Sequence, residues 1–228
     1  MADYKFYFSP GTCSRVSLIA LEEIGVPFEA ALIKFKTGEH KQPPYLQLHP
    51  RGKVPVLLVD GRPLTENLAI LTYLAATHPD ARLLPASRGA FDTAQALSEL
   101  SWFASTAQPM LTRIILPFLF VDVKEAMPRV HAMGVGALSE QFALAEQRLA
   151  SQPWLLGDEW SVVDAYLYWL WDQSTGAGVD AARFPNIAAH AARMAQRPAV
   201  RRAIQREADA YASLAAQGLA LGPPVLPL

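Results

Sequence analysis

The chain of 228 residues has only one cysteine, Cys13. No internal disulfide can form, and a bare thiol fits a reducing compartment. An excess of charge is missing too. Twenty lysines and arginines stand against twenty-one acids for a net charge of -1, which sets up no field to draw in nucleic acid or an anionic membrane surface. The apolar run 114–121 is far too short to span a bilayer and is broken by Pro117. The opening Met1-Ala2-Asp3-Tyr4-Lys5 lacks the basic flank, apolar core and cleavage site of a secretory signal. A cytoplasmic protein with no membrane or nucleic-acid partner is expected. His40, His49, His78, His131 and His190 are scattered, without HExxH or CxxC spacing, so no metal is expected. A glycine-rich phosphate loop and the G-x-S-x-G nucleophile elbow are also absent.

What is present is apolar material, 51% of the chain, enough for one large core or two modest ones. The first eighty residues mix short β-prone runs with helical spacing, whereas residues beyond about Ser87 are rich in alanine and leucine at helical intervals. This shift predicts two domains, 1–80 and 88–228. Lys5-Phe6-Tyr7-Phe8 reads as a strand ended by Ser9-Pro10-Gly11, and Val16, Ile19, Ala20 and Ile24 place a helix after it, stopped by Gly25 and Pro27. A second strand is expected over 28–34, then an irregular connection over 37–51 with a short helix near 45–48. A strand over 55–59 meets the hairpin signal Asp60-Gly61. Thr65 is expected to cap a helix carrying Leu68, Leu71, Leu74 and Ala75. The order is βαβ, then ββα. Helices are expected over 90–119, with kinks at Pro109 and Pro117, and over 135–150, 162–173, 187–196 and 200–214. The segment 162–171 is apolar nearly all round and should be a buried central helix. The late arginines 193, 197, 201, 202 and 206 read as a solvated face, and the tail from Gly218 as irregular.

Several residues could carry chemistry. Cys13 falls at the junction of the first strand and helix, where unpaired amides and the helix dipole favour an anion. They would stabilise its own thiolate or that of a bound thiol, and Ser9, Thr12 and Ser14 add hydroxyls that could donate to the sulfur. Packing in the core would also account for a lone cysteine. A cis peptide at Val54-Pro55 would expose the Val54 amide and carbonyl to an extended peptide, although from the dipeptide alone an ordinary strand-entry proline is the readier explanation. Glu66 and Asn67 open a helix, where amides can grip a carboxylate and Glu66 an ammonium group. His40 and Lys53 could hold a second carboxylate. Ser161-Val162-Val163-Asp164 has capping-box form and is assigned to folding.

Taken in order, Ser9-Pro10-Gly11-Thr12-Cys13-Ser14, Gly52-Lys53-Val54-Pro55, Leu64-Thr65-Glu66-Asn67 and Ser161-Val162-Val163-Asp164-Ala165-Tyr166 resemble the cytosolic glutathione transferase family over nearly the whole chain. The opening is similar to the bacterial beta class, and Gly38-Glu39-His40-Lys41 to theta-type members. The resemblance implies an α/β plus all-α architecture, with a thioredoxin-like glutathione-binding domain followed by a helical bundle that supplies the electrophile pocket. Glutathione would be the cosubstrate, lying along the strand opened by Pro55. Its cysteinyl part would pair with Val54, its γ-glutamyl end meet Glu66 and Asn67, and its glycyl carboxylate meet His40 and Lys53. Cys13 would contact the glutathione sulfur and be able to form a mixed disulfide with it, with Thr12 or Ser14 as the alternative partner. The beta-class histidine-lysine pair is not present, and the local match is Gln108-Pro109.

Trp102, Phe103, Met110, Ile114 and Phe118 are candidates for the pocket wall, and interhelix packing explains them equally. The resemblance further implies a homodimer acting on small apolar or aromatic electrophiles, in detoxification or aromatic catabolism. Alternatives within the same frame are a glutathione-dependent isomerase, a thiol reductase, an aryl-ether lyase or a non-catalytic binding module.

Overall fold

The computed structural model describes residues 2–85 and 89–221. The expected domain boundary near Ser87 and the end of the tail beyond Leu221 lie outside the described residues. By its contacts the chain forms two compact units, one of Met1–Leu83 with Gln196–Leu221, the other containing Leu84–Ala195.

The first unit begins with β1 (Tyr4–Phe8), α1 (Ser14–Ile24) and β2 (Glu29–Leu32). Between β1 and α1 the chain reverses at Ser9-Pro10-Gly11-Thr12. Proline fixes the first corner, Gly11 takes φ 77° at the second, and the Thr12 amide donates back to the Ser9 carbonyl at 3.3 Å. After β2 come α2 (Pro43–Leu46), β3 (Val56–Val59), β4 (Arg62–Thr65) and α3 (Asn67–Thr77). Asp60 and Gly61 join β3 to β4, both at positive φ, which suits the twist of a two-residue hairpin. The sheet order is β2-β1-β3-β4, with β1 parallel to β2 and antiparallel to β3, and β4 antiparallel to β3. This mixed four-stranded βαβ–ββα unit is thioredoxin-like, as the sequence implied.

Local details differ from expectation. The second strand is shorter than 28–34, and the short helix begins at Pro43, where proline suits a helix start. Thr65 does not cap α3. It closes β4, and the cap position falls to Glu66 at φ 70°, with no side-chain cap bond.

The second unit is helical: α4 (Ala90–Trp102), α5 (Gln108–Ile115), α6 (Met127–Leu149), α7 (Val162–Thr175) and α8 (Pro185–Gln196). The single helix expected over 90–119 is interrupted by a wide π turn at Phe103–Ala107 and ends in a tight turn at Pro117–Leu119. Pro109 therefore sits in the first turn of α5, where a missing amide matters least. The buried central helix is present as α7, with ten buried residues that include Tyr166, Trp169 and Trp171. Phe103 stacks on Tyr166 with centroids 5.3 Å apart.

The last helix, α9 (Pro198–Ala216), packs on α1 in the first unit. Its arginines are not a purely solvated face. Arg197 pairs with Glu23 at 2.8 Å, while Arg202 and Arg206 converge on Glu22 at 2.6 and 2.5 Å. The apolar stripe Ala199, Val200, Ala203, Ala210 and Leu214 closes beneath them.

At the head of α7 the capping box is complete and extended. Asp164 accepts the Ser161 amide (2.8 Å), the Ser161 hydroxyl (3.1 Å) and the Leu155 amide (2.8 Å), and meets His190 Nε2 at 2.9 Å. All of these groups are buried. Replacing the carboxylate by a methyl leaves three buried donors without an acceptor, each costing about 1–3 kcal/mol. Asp164→Ala is expected to lower unfolding free energy by about 3 kcal/mol or more in chemical denaturation, whereas exposed Asp158→Ala should stay within about 0.5 kcal/mol of the parent.

Candidate functional site

The β1–α1 turn presents Cys13, half-buried, as the residue that caps α1. Its thiol donates to the Val54 carbonyl at 3.8 Å, across 41 residues of chain. The peptide bond that follows that carbonyl, Val54–Pro55, is cis. Two motifs that are weak when read apart are thus adjacent in space: the sulfur at the start of α1 and the backbone edge leading into β3.

The amides of this helix end are less available than expected. Ser14 N donates to Thr12 Oγ1 (3.3 Å), Arg15 N to Thr12 O (3.1 Å) and Val16 N to Cys13 O (3.1 Å), because the first turn closes tightly on itself. The dipole remains, but these donors face local acceptors. The hydroxyls are similarly engaged. Thr12 Oγ1 donates to Ser9 O at 2.7 Å and lies 2.6 Å from Ser14 Oγ, and the fully buried Ser14 Oγ stands 3.1 Å from Ser9 O and 3.4 Å from the Ser9 amide. Ser9, Thr12 and Ser14 form a closed ring of bonds that shapes the turn.

At the other side of the β3 edge, Glu66 holds a left-handed conformation, φ 70°, uncommon for a residue with a Cβ. Its carboxylate is exposed and pairs with Arg51 at 3.4 Å. Asn67 turns inward. Its Oδ1 accepts from Ser17 Oγ (2.6 Å) and its Nδ2 donates to Cys13 O (2.9 Å), so both ends of the side chain are engaged inside the fold. Its side chain instead ties α3 to the Cys13 turn.

The connection before β3 brings His40 and Lys53 to one loop cluster. His40 lies edge-on to Phe35, ring centroids 4.5 Å apart, with Nδ1 buried and unbonded. Burial, and then the nearby Lys41 charge, hold its pKa below the usual imidazole value. Lys53 is exposed, and its carbonyl accepts from Tyr45 OH at 2.6 Å. Tyr45 packs with Ile33 and Val56 into a small core under this cluster. His49 is 2% exposed with an unbonded Nδ1. Burial pushes its pKa down, helped by Arg51, Lys53 and Lys41 and opposed by Glu66. Sequence reading gave no role to His49 or to Arg51, although Arg51 adjoins the motif Gly52-Lys53-Val54-Pro55. It also passed over Glu207 of α9, which accepts the Gly11 amide (3.0 Å) and Arg15 Nε (2.6 Å) and for which no local signal exists.

Within the helical unit, Trp102 and Phe103 line a cleft of about 260 Å³ with Leu144, Leu155, Glu99 and Arg148. Met110, Ile114 and Phe118 do not line it. Ile114 is buried against α6, and Phe118 is exposed on the turn after α5. Among the described residues no three of His, Cys, Asp and Glu gather as metal ligands, and no helix is long and apolar enough to cross a membrane.

Comparison with known proteins agrees over both units. Models of the glutathione S-transferase N-terminal and C-terminal domains match residues 3–76 and 110–198. The chain is similar to glutathione S-transferase GST-4.5 of Xanthomonas campestris pv. campestris, 31% identical over 94% of this chain and 99% of that one. Among solved structures it resembles the glutathione S-transferase from Xylella fastidiosa, with a TM-score of 0.83, 28% identity and coverage of 90% and 98%. It also resembles a sphingomonad glutathione S-transferase complexed with glutathione, with a TM-score of 0.77, 33% identity and coverage of 90% and 98%.

The loop cluster offers a clean steric test. At Gly52, φ 58°, an added Cβ would stand 2.5 Å from the His40 carbonyl oxygen, whereas at Gly61, φ 77°, it would meet nothing within 4 Å. Both positions carry the backbone cost of alanine at positive φ, about 1 kcal/mol, so the difference isolates the clash. Gly52→Ala should lose about 2 kcal/mol more than Gly61→Ala in denaturant melts. Equal losses would mean the His40 segment yields freely.

Proposed function

The chain belongs to the glutathione S-transferase family, and from that premise we propose that Cys13 is the group that meets the sulfur of its cosubstrate, glutathione, on the edge leading into β3. The enzyme joins or exchanges that thiol with a small electrophile. The observation that carries the assignment is the 3.8 Å approach of the Cys13 sulfur to the Val54 carbonyl. A tripeptide paired with the Val54 backbone brings its own cysteinyl sulfur to the same spot, and the Cys13 thiol can turn its proton from the carbonyl to that sulfur.

Magnitudes favour a direct partner. An ordinary thiol, with a pKa of about 8.5, is about 3% ionised at pH 7, and lowering it by two units needs about 2.7 kcal/mol. A helix end supplies roughly 0.3–1 kcal/mol, and the first-turn amides of α1 already have acceptors. A hydrogen bond to a charged acceptor adds about 1.5–3 kcal/mol. The thiolate then attacks the electrophilic carbon, the carbon–sulfur bond forms, and the leaving group departs with its electron pair. Where the electrophile is a disulfide, the Cys13 thiolate can attack one sulfur and release the other as a thiolate, leaving a mixed disulfide.

In this arrangement Glu66 and the Asn67 amide receive the γ-glutamyl end, with Arg51 beside Glu66, and His40 and Lys53 receive the glycyl carboxylate. Trp102 and Phe103, which line the cleft of the helical unit, are the candidates for an apolar wall. We assign the electrophile to small apolar or aromatic compounds, the setting to the cytoplasm, the role to detoxification or aromatic catabolism, and the assembly to a homodimer. A single reduced cysteine and the family resemblance support these assignments.

Cys13→Ala should lower kcat/KM with aryl halide and disulfide acceptors by about tenfold or more, while Thr12→Val, which replaces the hydroxyl with a methyl group, should change it less than about threefold. The reverse pattern would transfer the role to the hydroxyl. A second outcome concerns pH. A carboxylate beside His40 stabilises the imidazolium and raises its depressed pKa, so binding takes up a proton. Affinity for S-methylglutathione, whose sulfur cannot ionise, measured by calorimetry should therefore strengthen as pH falls from about 7.5 to about 6, and His40→Gln should abolish that slope. A slope unchanged by the substitution would remove His40 from the carboxylate site.

A further inference from the structure

We infer that Glu207, near the far end of the chain, is a positioning residue for Cys13, a role that rests on the assignment of Cys13 above. Its carboxylate is 6% exposed and holds two groups of the β1–α1 junction at once: the Gly11 amide at 3.0 Å and Arg15 Nε at 2.6 Å. These groups belong to the residues two before and two after Cys13. One oxygen takes each, Oε1 the amide and Oε2 the guanidinium, so the carboxylate bridges the turn like a staple across the residue that carries the sulfur. The Arg15 side chain is 8% exposed, and a buried guanidinium needs a compensating charge.

The opposite side of the same junction is held independently, by Asn67 Nδ2 on the Cys13 carbonyl at 2.9 Å. Between these two anchors the turn keeps a single shape. The Ser9–Thr12–Ser14 ring of bonds sets its curvature, and Gly11, at φ 77°, needs its amide satisfied from outside the turn. Glu207 does that from α9, 196 residues away in sequence. Packing alone does not call for this choice. Farther along the same pair of helices Glu22 is as deeply buried, and it meets Arg202 and Arg206 without touching the turn. The α1–α9 interface thus contains two buried carboxylates, one that binds helix to helix and one that also grips the sulfur-bearing loop.

The test compares Glu207→Gln with Glu22→Gln in the full chain. Both remove one buried charge from the same interface, and both should lower the melting temperature. Only Glu207→Gln should change the chemistry at residue 13. Its rate of Cys13 alkylation by iodoacetamide, measured without glutathione, should reach half-maximum at a pH higher by about half a unit or more, because the sulfur is no longer held at the helix end. Its kcat with glutathione should fall about fivefold or more with KM changed less than about twofold, and the effect should vanish in a Cys13→Ala background. Equal alkylation profiles for the two variants would overturn the positioning role. If Cys13→Ala itself leaves turnover intact, the catalytic assignment fails while the alkylation comparison still decides the staple. Should Glu207→Gln fail to fold, Glu207→Asp, which keeps the charge opposite Arg15 but shortens the reach to the Gly11 amide, supplies the same readout.

Discussion

The burial of α1 on all sides is the constraint from which the site follows. Residues 14–22 are buried without interruption, including Ser14, Arg15, Ser17 and Glu22. A helix with one wet face needs no partners for its polar residues, but this one does. Ser17 finds Asn67 of α3, Arg15 finds Glu207, and Glu22 finds Arg202 and Arg206 of α9. The apolar residues Val16, Leu18, Ile19 and Leu21, each fully buried, contribute about 2 kcal/mol apiece. The buried ion pairs add little net stability against their desolvation, yet losing one partner is expensive. They therefore fix which way α1 sits rather than how strongly it is held, and the residue that starts the helix is Cys13.

The same constraint explains how the two halves of the proposed glutathione edge are joined. α1 carries the sulfur, β3 begins beyond the Val54 carbonyl, and α3 begins at Glu66 with its backbone in the left-handed region. Asn67 reaches from the last of these to the first through the Cys13 carbonyl. A side chain that looks like a ligand contact in the sequence thus serves by locking the scaffold. Any ligand contact proposed at this position therefore falls to the backbone amide, next to Glu66 at φ 70°.

Much of this was legible beforehand, and the failures have physical causes. Hydrophobic periodicity and turn chemistry found every strand and the helices that position the site, since Pro10-Gly11 and Asp60-Gly61 admit few conformations. The pairing of Cys13 with the Val54 edge was legible only through the ordered set of motifs, because nothing local links residues 41 apart. Thr65 was misassigned as a cap because β4 runs one residue farther than a turn signal can show. The arginines of α9 were read as solvated because charge patterning cannot see Glu22 and Glu23 on another helix. Glu207 was invisible for the same reason, since its partners lie at the opposite end of the chain. In the helical unit, Ile114 carries the composition of a pocket wall but is buried against α6, and composition alone does not separate a wall from a core.

A crystal structure of the protein with reduced glutathione tests the central claim most directly. The account predicts the tripeptide extended along the Val54 backbone, its cysteinyl sulfur within hydrogen-bonding reach of Cys13 Sγ. A ligand bound elsewhere, or one whose sulfur turns to Thr12 and away from Cys13, would contradict it.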